Sequence, residues 1–286
     1  MKPLQKKEYS IREVQEKLLD LLKYIDRICE ENDLEYYLGY GTLIGAIRHH
    51  GFIPWDDDAD IFMPRDHYLR FIEIVDKENG QYRISSLQND PKWNHAKAKI
   101  WDTNTKIVYP FMEYGGDIGV FVDVFPMDGL SDNDAEVKRH YFWVKVNNAI
   151  RTSANHTSFW PDEKHKLLKG ILRPFGRIRG ARYWAQRTEK MAMKRDYRTS
   201  NRVGSTVDIG SWNLQVNYRS QYSEKLKVPF EDTMLRVPNG YDEILRVHYG
   251  DYMQIPPEDK RAGRHFFDIY SLDLKKDLQE DDNTAD

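Results

Sequence analysis

The stretch that most constrains this chain is Gly39 to Met63, GYGTLIGAIRHHGFIPWDDDADIFM. Tyr36, Tyr37 and Leu38 lead in as an apolar strand, Gly39-Tyr40-Gly41-Thr42 forms a glycine-rich turn, and Leu43 to Arg48 reads as a short helix capped by Thr42. A strand, turn and helix start in that order leave backbone N–H groups without partners at the positive end of a helix dipole, which suits phosphate. Gly41 and Thr42 are therefore candidate substrate-binding residues, and Arg48 in the same short helix joins them. Gly51 and Pro54 then break the chain, and Asp56, Asp57, Asp58 and Asp60 crowd together ahead of the apolar run Ile61-Phe62-Met63. Strand side chains alternate in direction, so Asp58 and Asp60 share one face while Ala59 and Ile61 point into a core. Two carboxylates on one face repel unless a divalent cation lies between them, and a hard ion such as Mg²⁺, or Mn²⁺ in its place, prefers such oxygens.

Acidic clusters after Pro-Trp are more often solvated turns. Here Asp60 stands where a core element begins, and an unpaired carboxylate there is costly. A calcium loop of the EF-hand type does not fit, because Ile61 and His67 occupy the positions that need Gly and Glu. A phosphate cradle followed by a metal-binding pair is equipment for phosphoryl transfer.

The run GTLIGAIRHHGFIPWDDDADI resembles the signature of the LicD family of phosphocholine transferases, whose fold is similar to the nucleotidyltransferases and to the fukutin-type sugar-phosphate transferases. The resemblance continues at Lys99 to Thr105 (KIWDTNT), at Phe121 to Asp128 (FVDVFPMD), and at Tyr249 to Met253 (YGDYM) with Pro256-Pro257. Ala59 is smaller than the branched residue expected between the paired aspartates, and His50 stands where Lys is common; neither departure touches a carboxylate. The resemblance implies a CDP-choline donor, release of CMP, and a sugar hydroxyl of a cell-surface glycan as acceptor, such as a teichoic-acid or lipopolysaccharide precursor, free or lipid-linked.

The chain has 286 residues, enough for one large domain or a core with an insertion. Lys and Arg number 43 against 46 Asp and Glu, so no global field selects nucleic acid. Cys29 is the one cysteine, which excludes an internal disulfide and fits a reducing compartment. No stretch approaches the ~20 apolar residues of a membrane span, and a cytoplasmic location is expected, with peripheral contact to the inner membrane face.

Ser10 and Glu13 form a capping box ahead of an amphipathic helix to Glu31, with Ile11, Val14, Leu18, Leu21, Leu22, Ile25 and Cys29 on its apolar stripe. Cys29 on that stripe reads as a packed thiol. Pro64 ends the Asp60 strand, Asp66 is expected to cap a helix through Val75, and Gly80 to stop it. Residues 96–108 alternate and read as a hairpin turning at Thr103-Asn104-Thr105, with Lys99 either a phosphate contact or a solvated lysine. Asp123 interrupts the apolar run Val120 to Phe125, and an ion held by Asp58 and Asp60 would supply the partner it needs. Asp123 is accordingly the third active-site carboxylate, as metal ligand, general base, or both. Asp128, beyond Pro126, reads as a turn former.

From Asn133 to Arg202 helical patterns return around Val137 to Ile150, Glu163 to Leu172 and Ala181 to Asp196, interrupted by Pro161 and Pro174, in a segment where Lys and Arg far outnumber acids. That basic face suits either solvent or an anionic acceptor and membrane headgroups. Later signals are a strand-like region at Gly204 to Ser211, a helix from Tyr241 to Tyr249 stopped by Gly250, His265 as a candidate substrate contact, and an acidic tail. The expected fold is α/β (α+β): a nucleotidyltransferase-like core with a mixed sheet flanked by helices, plus a basic helical insertion. Residues 1–132 and 203–272 would form the core, 133–202 the insertion and 273–286 a disordered tail. Two rivals share these features: a glycosyltransferase with an Asp-x-Asp metal site and a nucleotide-sugar donor, and an inactive relative that only binds a nucleotide or a partner.

Overall fold

The computed structural model describes residues 9–109, 117–155, 166–207, 216–261 and 268–271. Helix α1, Ile11–Glu31, begins at the capping box: Glu13 N–H donates to Ser10 Oγ, and Glu13 Oε2 accepts from Ser10 N–H. Strand β1 is Tyr37–Leu38, and helix α2, Tyr40–Ile44, continues through a π-helical turn at Gly45–His49. β2, Asp60–Pro64, passes directly into α3, Arg65–Glu78, and β3 is Tyr82–Ser85. β4 (Ala98–Asp102), β5 (Thr105–Val108) and β6 (Phe121–Leu130) precede three helices, α4 (Asp134–Asn155), α5 (Lys166–Arg179) and α6 (Ala181–Ala192). β7 (Arg202–Gly204), β8 (Asn217–Tyr218), β9 (Leu226–Phe230), β10 (Thr233–Val237), α7 (Tyr241–Tyr249) and β11 (Asp268–Ser271) follow.

The main sheet runs β1-β2-β6-β4-β3, with β7 joining the far end of β6 and β8 joining β7. It is mixed: β2 and β6 are parallel, while β1–β2, β4–β6, β3–β4 and β6–β7 are antiparallel. All ten residues of β6 are buried, as a central strand covered on both faces requires. On one face Leu18, Leu22 and Ile25 of α1 and Phe71, Ile72 and Val75 of α3 pack against Ala59, Ile61, Ala98, Ile100, Val122 and Val124. On the other, Phe121, Phe125, Ile107, Ile118 and Trp93 form a second cluster with Ala185 and Ala192 of α6. The expected mixed sheet flanked by helices is what the chain forms, and Cys29 is a buried thiol whose pKa burial pushes up.

Several local expectations are corrected. β4 and β5 do not pair as a hairpin: β4 lies between β3 and β6, and β5 pairs with β11. The chain at 118–120 separates them, with Asp102 N–H donating to Val120 O, Ile107 N–H to Ile118 O, and Val120 N–H to Thr105 Oγ1. Gly119 is what permits this approach, since a Cβ there would lie 2.0 Å from Asp102 O. α3 starts on Pro64, with Asp66 inside its first turn, and ends on Asn79 in the left-handed region (φ 45°) ahead of Gly80. α5 runs through Pro174 to Arg179; residue 170, whose carbonyl loses its helical partner to that proline, is glycine.

Asp128 is no turn former. It lies inside β6 at 1% exposure and accepts a two-pronged hydrogen bond from Arg65, Nε to Oδ1 at 2.9 Å and Nη2 to Oδ2 at 2.6 Å. Asp123 N–H donates to Ala59 O, so by alternation the nitrogen of Pro126 faces the opposite edge. There β4 pairing has ended at Val124 and β7 pairing begins only at Asp128, so the missing N–H costs no ladder bond and the strand continues. Arg65 Nη1 also lies 3.3 Å from Glu189 Oε1, joining α3, β6 and α6. Arg65→Met strands a buried carboxylate and should lower urea-unfolding stability by about 3–5 kcal/mol, with Arg65→Met/Asp128→Leu recovering much of that loss; a single variant within 1 kcal/mol of wild type by the same measurement (roughly the error of a core substitution) would show the pair to be dispensable.

Candidate active site

Three neighbouring strands bring charged residues to the same face. Asp60 on β2 lies beside Asp123 on β6, and Asp123 beside Lys99 on β4. The residues alternating with them, Ile61, Val122, Val124, Ala98 and Ile100, fill the core under α1 and α3, so the charged trio faces away from it. Asp60, Asp123 and Lys99 are 8%, 7% and 2% exposed. Lys99 Nζ is 2.8 Å from Asp123 Oδ1, and Lys97 Nζ is 3.1 Å from Oδ2. Both ammonium groups also sit on aromatic faces, Lys99 at 3.2 Å from the Phe121 ring centre and Lys97 at 4.2 Å from that of Phe125. That placement lets a cation stay charged where little water reaches it.

The trio is electrostatically strained. Burial, then the charges of Asp58 and Asp123, hold the Asp60 carboxyl well above its ordinary range, against the opposing pull of Lys97 and Lys99. Burial lowers Lys99 to about 8, with Lys97 adding to the drop and Asp123 opposing it. A buried carboxylate in this setting is relieved by a proton or by a cation. Asp123 Oδ1 is buried and lies 2.8 Å from the Lys99 ammonium; a carboxylate oxygen carries more than one lone pair, which leaves acceptor capacity on this face. The oxygen donors of Asp58, Asp60 and Asp123 fit a hard divalent ion in kind. Among the described residues, however, no three acidic, histidine or cysteine side chains stand close enough to form a ready-made metal centre.

The other expected residues fall in several places. Asp58 lies just before β2, half-buried, and acts on Asp60 through its charge. Thr42 does not cap a helix: α2 begins at Tyr40 on Gly39, and Thr42 Oγ1 accepts from Asp60 N–H at 2.9 Å. With Gly39 N–H donating to Asp60 O, the turn latches the start of β2 and so fixes Asp60. A Cβ on Gly41 would lie 2.7 Å from Asp56 Oδ2, so the glycine admits that carboxylate to the turn. Arg48 donates to the carbonyls of Tyr252 and Gln254 at 2.6 and 3.3 Å and pins the loop after α7. His265 lies outside the described residues.

Two contributors escaped the sequence reading. Lys97, in the bend just ahead of β4, was visible only as the i−2 neighbour of Lys99. Tyr249, at the end of α7, keeps 45% of its surface exposed, yet burial of the rest and the charges of Asp60, Asp56 and Asp58 push its hydroxyl pKa up. No spacing in the sequence relates Tyr249 to the aspartates. A cavity of about 540 Å³ opens elsewhere, near Gly129, His140, Lys194 and Arg195 at the far end of β6.

The profile described as "LicD/FKTN/FKRP, nucleotidyltransferase domain" matches residues 33–161, a span that holds Asp58, Asp60, Lys97, Lys99 and Asp123. The chain is 31% identical over 271 residues, 93% of its length and the whole of the relative, to the lipopolysaccharide cholinephosphotransferase LicD of Haemophilus influenzae. The chain belongs to the LicD family. An uncharacterised protein of Rickettsia typhi is 38% identical over 140 residues, covering 48% of this chain and 43% of that protein, and one of Rickettsia prowazekii is 35% identical over 69 residues, covering 24% and 26%. The expectation of an enzyme, a transferase, is thereby met.

The raised Asp60 carboxyl in this LicD-family protein has a testable sign. A carboxyl whose pKa is raised on folding favours the fold while protonated, and that stability is lost as pH rises through its folded pKa. Asp60→Asn removes the cost of the charge. In chelator at pH 8 the variant should melt about 2–4 °C above wild type, the shift that ~1 kcal/mol gives in a large domain, and the gap should close as pH falls. The substitution also removes the attraction between Asp60 and Lys99, a smaller effect than the burial cost, which trims the gain without reversing it. A variant melting below wild type at pH 8 contradicts this electrostatic account.

Proposed function

We propose that this chain transfers phosphocholine from CDP-choline to a sugar hydroxyl of a lipopolysaccharide or teichoic-acid glycan, free or lipid-linked, with release of CMP, at the cytoplasmic face of a membrane. The observation that carries the reading is the juxtaposition of Asp60, Asp123, Lys97 and Lys99 on one sheet face, in a chain that spans the whole length of a lipopolysaccharide cholinephosphotransferase. Asp58 and Asp60 would hold Mg²⁺ or Mn²⁺ with Asp123 alongside. Such an ion neutralises negative charge on the reacting phosphate and its leaving group.

The residues of the chain supply the rest. Lys97 and Lys99, now paired with Asp123, are placed to exchange that carboxylate for donor phosphate oxygens. Asp123, relieved of its lysines, is then free to accept the proton of the attacking hydroxyl. A Lys99 pKa of about 8 keeps the ammonium largely charged at neutral pH while making its pairing exchangeable. Gly39 and Thr42 keep Asp60 at the edge of the site through two backbone hydrogen bonds.

The test offers CDP-choline, CDP-ethanolamine, CDP-ribitol and a UDP-sugar together at fixed Mg²⁺ and identifies the product by mass. Choline should win, with CMP released and a phosphocholine mass added to the acceptor. Transfer of a bare sugar with release of a nucleoside diphosphate would establish the glycosyltransferase instead. In the same assay Asp58→Asn, Asp60→Asn and Asp123→Asn should each lose about 10²-fold or more in kcat, the scale of a lost electrostatic contact at the transition state. Near-normal turnover in Asp60→Asn would remove that carboxylate from the mechanism.

A further inference from the structure

Helix α5 presents a surface that neither the sheet nor the carboxylate site explains. Its sequence, KLLKGILRPFGRIR, carries five Lys and Arg and no acid. Leu167, Ile171, Phe175 and Ile178 fall at i, i+4, i+8 and i+11, one narrow stripe of a helix, and are 87%, 64%, 61% and 77% exposed. The opposite side is the one that docks. Gly176 is buried, and a Cβ there would lie 2.7 Å from Ile150 O and 2.9 Å from Ala154 Cβ on α4. The helix thus rests on its neighbour through a glycine and turns Leu167, Ile171, Phe175 and Ile178 outward, the reverse of the arrangement a water-facing helix adopts. Isolated exposed apolar residues are ordinary, but a continuous stripe marks a contact surface.

Charge identifies the occupant. At 100° per residue, Arg177 and Arg179 flank the stripe on its two sides and both are exposed, while Arg173 falls toward the docking side of the helix and is half-buried. Arg179 also lies over the ring of Tyr183, 38% exposed at the start of α6. Apolar residues bordered by arginines, with an aromatic at the rim, match the cross-section of a bilayer surface with anionic headgroups. A protein partner of equal fit would have to supply an apolar groove edged by acids on both sides. Arg182, expected on this basic face, does not belong to it: its guanidinium donates to the carbonyls of Leu87, Asp90 and Trp93 at 2.6–2.7 Å and fastens α6 to the loop before β4. No helix among the described residues is long and apolar enough to cross a membrane, so the contact is peripheral.

We infer that α5 lies in the headgroup layer of an anionic membrane, with Leu167, Ile171, Phe175 and Ile178 directed into the acyl boundary and Arg177 and Arg179 at the headgroups. The inference is independent of the donor chemistry, because binding is read on vesicles without substrate. The full-length protein is sedimented with vesicles rich in phosphatidylglycerol and, separately, with phosphatidylcholine vesicles, while its mass in solution is measured by light scattering. Wild type should bind the anionic vesicles about tenfold or more tightly than the neutral ones, and less at high salt. Leu167→Ser/Ile171→Ser/Phe175→Ser/Ile178→Ser should lose at least ~10-fold in partitioning with an unchanged circular dichroism spectrum. Arg177→Glu/Arg179→Glu, which leaves the apolar stripe intact, should lose the preference for anionic lipid. Wild type that ignores anionic vesicles overturns the inference, as does a serine variant that binds like wild type. A wild-type dimer that the serine substitutions convert to monomer, without vesicle binding, overturns it in favour of a second copy of the chain.

Discussion

A carboxylate in the middle of a wholly buried central strand must be matched by opposite charge, and Asp123 imposes that condition on everything around it. β4 answers it by placing Lys99 in register, and the bend just ahead of β4 brings Lys97 to the same carboxylate. β2 sharpens it by bringing Asp60 alongside in parallel. The opposite face of the same three strands is ordinary core, filled by α1 and α3, and that packing fixes the strand registers on which the charged face depends. A slip of one residue in β2 or β4 would turn a charge into the aliphatic core and an aliphatic residue into the site. The apolar pattern that makes the fold therefore also makes the constellation.

Elements governed by local chemistry were legible. The Ser10–Glu13 box and the stripe of α1 needed only short-range rules, and the Asp60 strand announced itself by alternation with Ala59 and Ile61. Asp123 stood out because a charge inside a Val-Phe run needs a partner, although an Asp bonding backbone at a strand end was the plainer alternative. What was not legible depended on partners far along the chain. The hairpin expectation failed because residues 118–120 separate β4 from β5, and nothing between Ala96 and Val108 encodes that. Asp128 looked like a turn former until Arg65, 63 residues earlier, was found to be its partner. Lys97 and Tyr249 join the site for the same reason, through sheet register and the position of α7.

The electrostatics describe a site held ready at some cost to stability. Two carboxylates and two ammonium groups share a face with little water, so the net charge is small while burial holds Asp60 and Lys99 away from their ordinary pKa ranges. Phe121 and Phe125 supply ring faces beneath the lysines, which favours the charged form of both cations. The turn at Gly39–Thr42 then has a purpose apart from ligand contact, since its two hydrogen bonds to the backbone of Asp60 set where that carboxylate stands.

The pairing of β5 with β11 adds a question of timing. Val108 faces Asp268 across about 160 residues of sequence, and Ile269 of β11 packs against the cluster that contains Phe121 and Phe125. During synthesis the N-terminal half can order first, assembling β2, β4 and β6 with their charges while the strand that completes the backing layer is still unmade. Until Asp268 to Ser271 arrive, β5 offers an open edge of N–H and C=O groups beside apolar side chains, and such edges recruit strands from other molecules. Proteolysis or premature termination just ahead of β11 would accordingly betray itself through self-association of the shortened chains, before any defect in the chemistry of the carboxylates could be noticed.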